Sequence, residues 1–222
     1  PILASHGYYV IAPDQRGYGR TIGWNNEYDT DLNNFRLLNV VRDILGILQH
    51  IGRKKVEAVV GHDFGASVAA YLTLIRPDVF RSMVLMSAPF SGPPSRDQKK
   101  SNCIHTDLKN LERPRKHYQW YYSTREANGD MSNCNQGVHD FLRAYFHHKS
   151  SDWSDNKPQV LTSWSADELA KMPTYYIMDF ERDMAETVSL EMPSLNQIEG
   201  NLWLPKQELQ VYSNEYERTG FQ

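Results

Sequence analysis

The sequence of 222 residues has only two cysteines, Cys103 and Cys134. Two are too few for a disulfide framework, so they read as ordinary thiols of a cytoplasmic protein. An excess of charge of one sign is also missing. Asp and Glu number 27 against 24 Lys and Arg, a formal net charge of −3. That balance supplies no electrostatic footprint for nucleic acid or an anionic membrane. No run approaches the roughly 18–20 apolar residues of a membrane span. No segment repeats at a fixed period, which argues against a solenoid. A starting methionine is absent too: the chain opens on Pro1-Ile2-Leu3-Ala4 and closes on Gly220-Phe221-Gln222. The expectation is a portion of a longer protein, with any signal peptide lying upstream.

What is present suffices for a core. The apolar share is 40%, and 13 glycines bring the chain into the usual globular range of about 45–50%. Nothing in the composition specifies an oligomeric state.

The first half alternates strand and helix patterns. Gly7 to Ala12 is a short apolar run closed by Pro13 and Asp14, which predicts a strand. Gln15 to Arg20 is a loop punctuated by Gly17 and Gly19. A helix is predicted from near Asp31, because Leu37, Leu38, Val41, Ile44, Leu45, Leu48 and Ile51 recur at intervals of three and four. Gly52 is placed to end it with a positive φ. Val56 to Val60 predicts a second strand, Ala66 to Ile75 a helix stopped by Pro77, and Met83 to Met86 a third strand. Strands that alternate with helices predict a parallel sheet.

The texture changes near Phe90. Ser91-Gly92-Pro93-Pro94-Ser95 is a linker-like break. Beyond it the chain is polar and aromatic, with helical stretches at His139 to His147 and Ala166 to Lys171. Tyr175 to Met178 fits either strand or helix. The expected organisation is a core over residues 1–90 and a mostly helical cap over 91–222.

The most informative motif is Gly61-His62-Asp63-Phe64-Gly65, between a predicted strand and a predicted helix. A nucleophile elbow needs that context, with small residues flanking a strained turn. On this reading Asp63 is the nucleophile, side chains at Gly61 and Gly65 would clash, and the Phe64 N–H forms half of an oxyanion hole. The competing reading is an ordinary turn in which Asp63 caps the helix. A carboxylate nucleophile selects its chemistry. Attack on an acyl group gives a mixed anhydride, whereas attack on a saturated carbon gives an ester that water can cleave. Epoxide opening and carbon–halogen cleavage both fit.

With these residues the sequence resembles the α/β-hydrolase superfamily, and within it the epoxide hydrolases. The matching stretches are Gly7 to Gly19, the Gly61–Gly65 elbow, Arg76-Pro77 before the Met83 strand, and His117-Tyr118-Gln119-Trp120-Tyr121-Tyr122. The resemblance implies a partial parallel sheet of that fold, with helices on both faces and a mostly helical cap insertion. It implies that Tyr118 is one of two tyrosines that polarise the epoxide oxygen. A phenol with a pKa near 10 stays protonated at neutral pH and can donate to a developing alkoxide. Without the resemblance, Tyr118, Trp120, Tyr121 and Tyr122 would read as an aromatic packing cluster.

The resemblance also implies a small apolar epoxide and water as substrates, with neither cofactor nor metal. The family's other oxyanion loop would precede this chain. Its second tyrosine, acid and base histidine would follow it. The expectation is therefore one alkylation of Asp63 without sustained turnover, poor solubility from uncovered sheet edges, and no role for His62 as base. His139, His147 and His148 are expected to be solvated, and adjacent histidines project to different sides of a helix, against a metal site with Asp152. Two alternatives stand beside this reading. One is a haloalkane dehalogenase-like hydrolase, which would want an N–H donor after the nucleophile where Phe64 has none. The other is a non-catalytic truncated relative that binds a ligand or partner.

Overall fold

The computed structural model describes residues 2–93 and 103–221. Pro94 and Ser95 of the linker-like break lie outside the described residues. The chain divides into two compact units, residues 1–96 and 97–222.

The first unit opens on a four-residue helix, α1 (Ile2–Ser5). Asp31 then caps a 3-10 turn at Leu32–Phe35 by accepting from the Asn33 N–H, and α2 (Leu37–His50) follows. Of the predicted stripe, Val41 and Leu48 are buried and Leu37, Ile44, Leu45 and Ile51 pack against the same core, whereas Leu38 is exposed and Val40, outside the stripe, is buried. Gly52 takes the expected left-handed conformation at φ +70°. Next come β1 (Val59–His62), α3 (Phe64–Ile75) and β2 (Met83–Met86). β1 and β2 pair in parallel, Val59 opposite Met83 and His62 opposite Met86. The helix between them is the crossover that parallel strands require. Small residues suit α3 to this place, since Ala66, Ala69 and Ala70 let it lie close on the strands. Val40, Val41, Leu48, Val68, Leu72, Val79 and Phe80 form one core. Arg16 reaches from the glycine loop to α2, donating from Nε (3.0 Å) and one terminal nitrogen (2.7 Å) to the two oxygens of Asp43. Val60 and Val84, on the other face of the ladder, are about half exposed.

Two strand expectations need correction. Gly7 to Ala12 forms no strand, and Tyr8 to Ile11 are exposed. A strand exists only as a member of a ladder, and among the described residues this run has no strand beside it. The Val56–Val60 strand is shifted: Val56 makes an isolated bridge to Phe80, and the ladder begins at Val59 and runs on through Gly61 and His62.

The second unit is mainly helical: α4 (Ile104–Lys109), α5 (Tyr118–Tyr122), α6 (Glu126–Ser132), α7 (Gly137–His148), α8 (Ala166–Leu169), α9 (Met184–Ser189), α10 (Leu195–Glu199) and α11 (Lys206–Thr219). Between them β3 (Arg115–His117) pairs antiparallel with β4 (Ile177–Asp179), so Ile177 and Met178 of the ambiguous stretch are strand while Tyr175 and Tyr176 lie in the turn before it. α7 packs against α9 and α11 around Phe141, Leu142, Met184, Val188 and Leu209. Capping boxes open α9 (Asp183 with Glu186) and α10 (Ser194 with Gln197), each satisfying two otherwise orphaned N–H groups. Arg115, buried in β3, pairs with Asp179 opposite it, and Arg113 joins the same carboxylate. Those two guanidiniums hold Asp179 below the usual carboxylate range against the opposing effect of its burial.

His147 and His148 are buried, contrary to expectation. α7 is covered on both sides of its last turn, so adjacent residues find no solvent face. His148 is 1% exposed. Trp153 and Tyr175 meet its ring edge-on at 4.5 and 4.8 Å, and neither ring nitrogen has a hydrogen-bond partner. Burial drives its pKa down from 6.5 to about 4; Glu191 opposes the shift and His147 adds to it. As pH falls below 6.5 the unfolded chain takes up a proton that the folded chain refuses. The contribution of this residue to stability is therefore complete above about pH 6.5 and is lost as pH falls towards 4. The size is roughly 3 kcal/mol at 1.36 kcal/mol per pKa unit. His148→Phe should flatten the acid loss of stability over that range, read by urea unfolding at several pH values. An unchanged pH profile in the variant would refute the assignment.

Candidate active site

The elbow occupies the junction of β1 and α3. Asp63 stands between them at φ +53° and ψ −120°, one of two non-glycine residues with positive φ among those described. Such a conformation costs of order 1–3 kcal/mol and persists only where the surroundings impose it. Three contacts impose it here. The Asp63 N–H donates to the Met86 carbonyl at the end of β2 (3.0 Å), and the Asp63 carbonyl accepts from the Ala66 N–H (3.0 Å). The third is steric: a Cβ on Gly61 would lie 2.1 Å from the Gly65 carbonyl oxygen and 2.7 Å from the Ala66 Cα. Backbone cannot yield by that much, so only glycine fits at position 61.

The same geometry corrects the expectation for Gly65. A Cβ there would meet only Gln15 Nε2, at 3.9 Å. It is the carbonyl of Gly65 that crowds the turn, and its missing side chain does not matter sterically.

The competing reading of Asp63 fails on geometry. Its side chain makes no capping hydrogen bond to α3, and the residue is exposed. An ordinary N-cap aspartate would accept from the second or third N–H of the helix. The carboxylate instead stands at the positive end of a 12-residue helix. Phe64 is the first residue of α3, where backbone N–H groups have no intrahelical acceptor. His62 is exposed, on the strand side of the turn.

Tyr118 lies in the second unit, as the first residue of α5. Its N–H donates to the Tyr176 carbonyl (2.8 Å), and its phenol oxygen accepts from Gln119 Nε2 (3.3 Å). Its ring is half-buried, stacked on His117 and edge-on to Tyr122 and Tyr176 at 5.6 and 5.3 Å. Tyr121 donates to Asp130 (2.9 Å), while Tyr122 donates to Tyr145 (3.4 Å). Burial pushes both phenols far above their ordinary pKa, and pushes Tyr175 up to about 12. These tyrosines therefore keep their protons. Trp120 is exposed enough to stand at the surface, unlike Tyr121. No group of three or more His, Cys, Asp or Glu is arranged to hold a metal ion among the described residues. No helix among them is long and apolar enough to cross a membrane.

Two features escaped the sequence. Ser87, just after β2, has φ +65° and follows the carbonyl that holds Asp63. Its only sequence sign is Pro89, two residues on. The contacts of His117 with Tyr118 also went unread, although the two are adjacent in the chain.

Strain at the elbow predicts opposite effects at two neighbouring positions. Gly61→Ala should cost more than about 3 kcal/mol or prevent folding, because the clash is with backbone. Asp63→Gly should stabilise by about 1 kcal/mol, because glycine adopts positive φ freely. Urea unfolding reads both, and a destabilised Asp63→Gly would show that the elbow is not strained.

The molecule matches the family model of the α/β hydrolase fold over residues 1–184. Along its whole length it is 27% identical to epoxide hydrolase B of Mycobacterium tuberculosis, covering 61% of that protein. Over 88 residues it is 41% identical to epoxide hydrolase 3 of Siraitia grosvenorii, which is 40% of this chain and 26% of that one. Among solved structures, potato (Solanum tuberosum) epoxide hydrolase I superposes with a TM-score of 0.60 at 26% identity, over 94% of this chain and 54% of that one. An epoxide hydrolase from an endophytic Streptomyces superposes with a TM-score of 0.63 over 93% of this chain and 52% of its own, and at 22% identity that likeness speaks for the fold alone. The chain thus spans between about half and three fifths of the longer relatives it resembles along its length. With an elbow between parallel strands and a match over residues 1–184, it belongs to the α/β hydrolase fold family.

Proposed function

We propose that this chain carries the nucleophile of an epoxide-opening hydrolase. One Asp63 carboxylate oxygen attacks a ring carbon of the epoxide from behind. The carbon–oxygen bond of the ring breaks as the ester bond forms, and the departing oxygen takes a proton from Tyr118. Hydrolysis of the ester then needs a base to take a proton from water, a role the resemblance places after the cap and assigns to no residue of this chain. The Phe64 N–H donates to the oxyanion that forms on the Asp63 side chain, and the proton that water gives up returns to the Tyr118 phenolate. Collapse releases a diol and restores the carboxylate. Epoxide and water enter, and the diol leaves, with no redox change. The observation that carries the proposal is Asp63 itself: a carboxylate in a strained strand-to-helix turn, exposed, with no capping bond. The names of the relatives, epoxide hydrolases from bacteria and plants, support the same class of reaction. The tyrosine-rich surroundings of Tyr118 suit a small, largely apolar epoxide.

Incubation with styrene oxide, followed by intact mass and peptide mapping, tests the first step. A single adduct should form on Asp63 and be absent from Asp63→Asn. Tyr118→Phe should slow its formation by about 10²–10⁴, the usual worth of general acid help. Chloride release from 1-chlorohexane would favour displacement of halide on the same nucleophile. No adduct and no chloride would leave a ligand-binding relative as the better reading.

A further inference from the structure

The side chain that precedes Tyr118 has an unusual position. His117 is the N-cap residue of α5, at φ −75° and ψ 136°, and its Nδ1 accepts from the Gln119 N–H at 3.2 Å. Aspartate, asparagine, serine or threonine more often fills that position. A ring that accepts at Nδ1 must be neutral and must carry its proton on Nε2. The same imidazole stacks on the Tyr118 ring, with centroids 5.0 Å apart and planes inclined by 29°. His105 from α4 meets it at 6.4 Å, and Trp164, ahead of α8, at 6.1 Å. The titratable groups that face the His117 ring are therefore His105 and Tyr118, with no carboxylate in contact among the described residues. One Gln119 residue links the two functions: its backbone N–H goes to His117, and its side-chain amide goes to the Tyr118 oxygen.

We propose that His117 is a positioning residue for Tyr118, which in its neutral form caps α5 and stacks on the phenol to hold it in its donating orientation, and which releases that orientation when protonated. The proposal rests on the assignment of Tyr118 as the epoxide oxygen donor. α5 is five residues long, so a single cap decides much of its order. Protonation puts a hydrogen on Nδ1, which then faces the Gln119 N–H instead of accepting from it. It also sets a positive charge at the positive end of a helix, which is unfavourable. Burial and the neighbouring His105 both hold the His117 pKa below 6.5. The positioning is therefore complete at neutral pH and is lost as pH falls through that lowered value.

Two substitutions separate the two contributions. His117→Asn keeps a cap acceptor but has no ring and does not titrate. His117→Phe keeps a stacking ring but has no acceptor. The first measurement is ¹⁹F NMR of the protein carrying 3-fluorotyrosine at position 118, titrated from about pH 8 to 4. A step in the fluorine shift below pH 6.5 is expected in the parent and should be missing from both variants. The second is the rate of Asp63 alkylation by styrene oxide across the same range. The parent should lose rate several-fold through the fluorine step. His117→Asn should lose that portion of the acid limb. His117→Phe should be slower at every pH.

Absence of the fluorine step in the parent overturns the proposal. So does a His117→Asn acid limb identical to that of the parent, since a merely structural residue would change the rate without changing its pH dependence. If the parent shows the fluorine step but no adduct on Asp63, the nucleophile assignment fails while the coupling of His117 to Tyr118 stands. These two failures are thus distinguishable.

Discussion

The approach of Gly61 to the carbonyl of Gly65 is the constraint on which the rest of the first unit depends. A Cβ would stand 2.1 Å from that oxygen, so β1 and the first turn of α3 can share the space only when position 61 has none. This closeness makes the turn too short for an ordinary backbone path, and the excess falls on the residue between. Asp63 is carried to φ +53°, and its side chain makes no capping bond to the helix it precedes. In a relaxed turn the same aspartate would lower its energy by capping α3. The strain therefore prevents the one local interaction that would have occupied the carboxylate. It also fixes Phe64 as the first helical residue, with its N–H beside the exposed side chain. Parallel pairing closes the arrangement, because the Met86 carbonyl at the end of β2 takes the Asp63 N–H.

Much of this was legible in the sequence, because it depends on local rules. The stripe of α2, the stop at Gly52, the crossover helix and the Met83–Met86 strand all follow from spacing and from glycine. The elbow followed from two glycines flanking an acid between a strand pattern and a helix pattern. What was not legible depends on neighbours that a local pattern does not contain. Gly7 to Ala12 has the composition of a strand, but a strand is defined by what lies beside it. Gly65 looked like a steric requirement by symmetry with Gly61, yet the crowding atom is its carbonyl, which any residue would carry. His147 and His148 look polar and sit next to each other, which on an exposed helix would put at least one in water. The other packed helices and the Trp153 segment remove that option.

The two histidines at 117 and 148 show how differently one side chain can be buried. His148 has lost water at both nitrogens and gained no hydrogen bond, so its neutral form is enforced mainly by desolvation, with His147 adding to it. Its ring packs among aromatic edges as a phenyl would, and its polar atoms are a cost to the fold. His117 gives up less water and uses one nitrogen as an acceptor at a helix start. Its neutral form is required by a hydrogen bond, so protonation has a structural consequence at a specific atom.

That difference bears on how each unit holds the group proposed to react. Asp63 is held by backbone: a ladder, a steric contact and a helix origin leave the side chain without a capping bond, and among the described residues no other side chain bonds to it. Tyr118 is held by side chains and one carbonyl: a stacked imidazole, two tyrosine edges, a glutamine amide and the Tyr176 carbonyl. A backbone device tolerates almost no substitution at its key position but is insensitive to pH. An aromatic enclosure tolerates exchange of one ring for another, and its weak point is the single member that can take a proton. Sensitivity to acid is therefore to be sought around Tyr118, and a mutational cliff around Gly61.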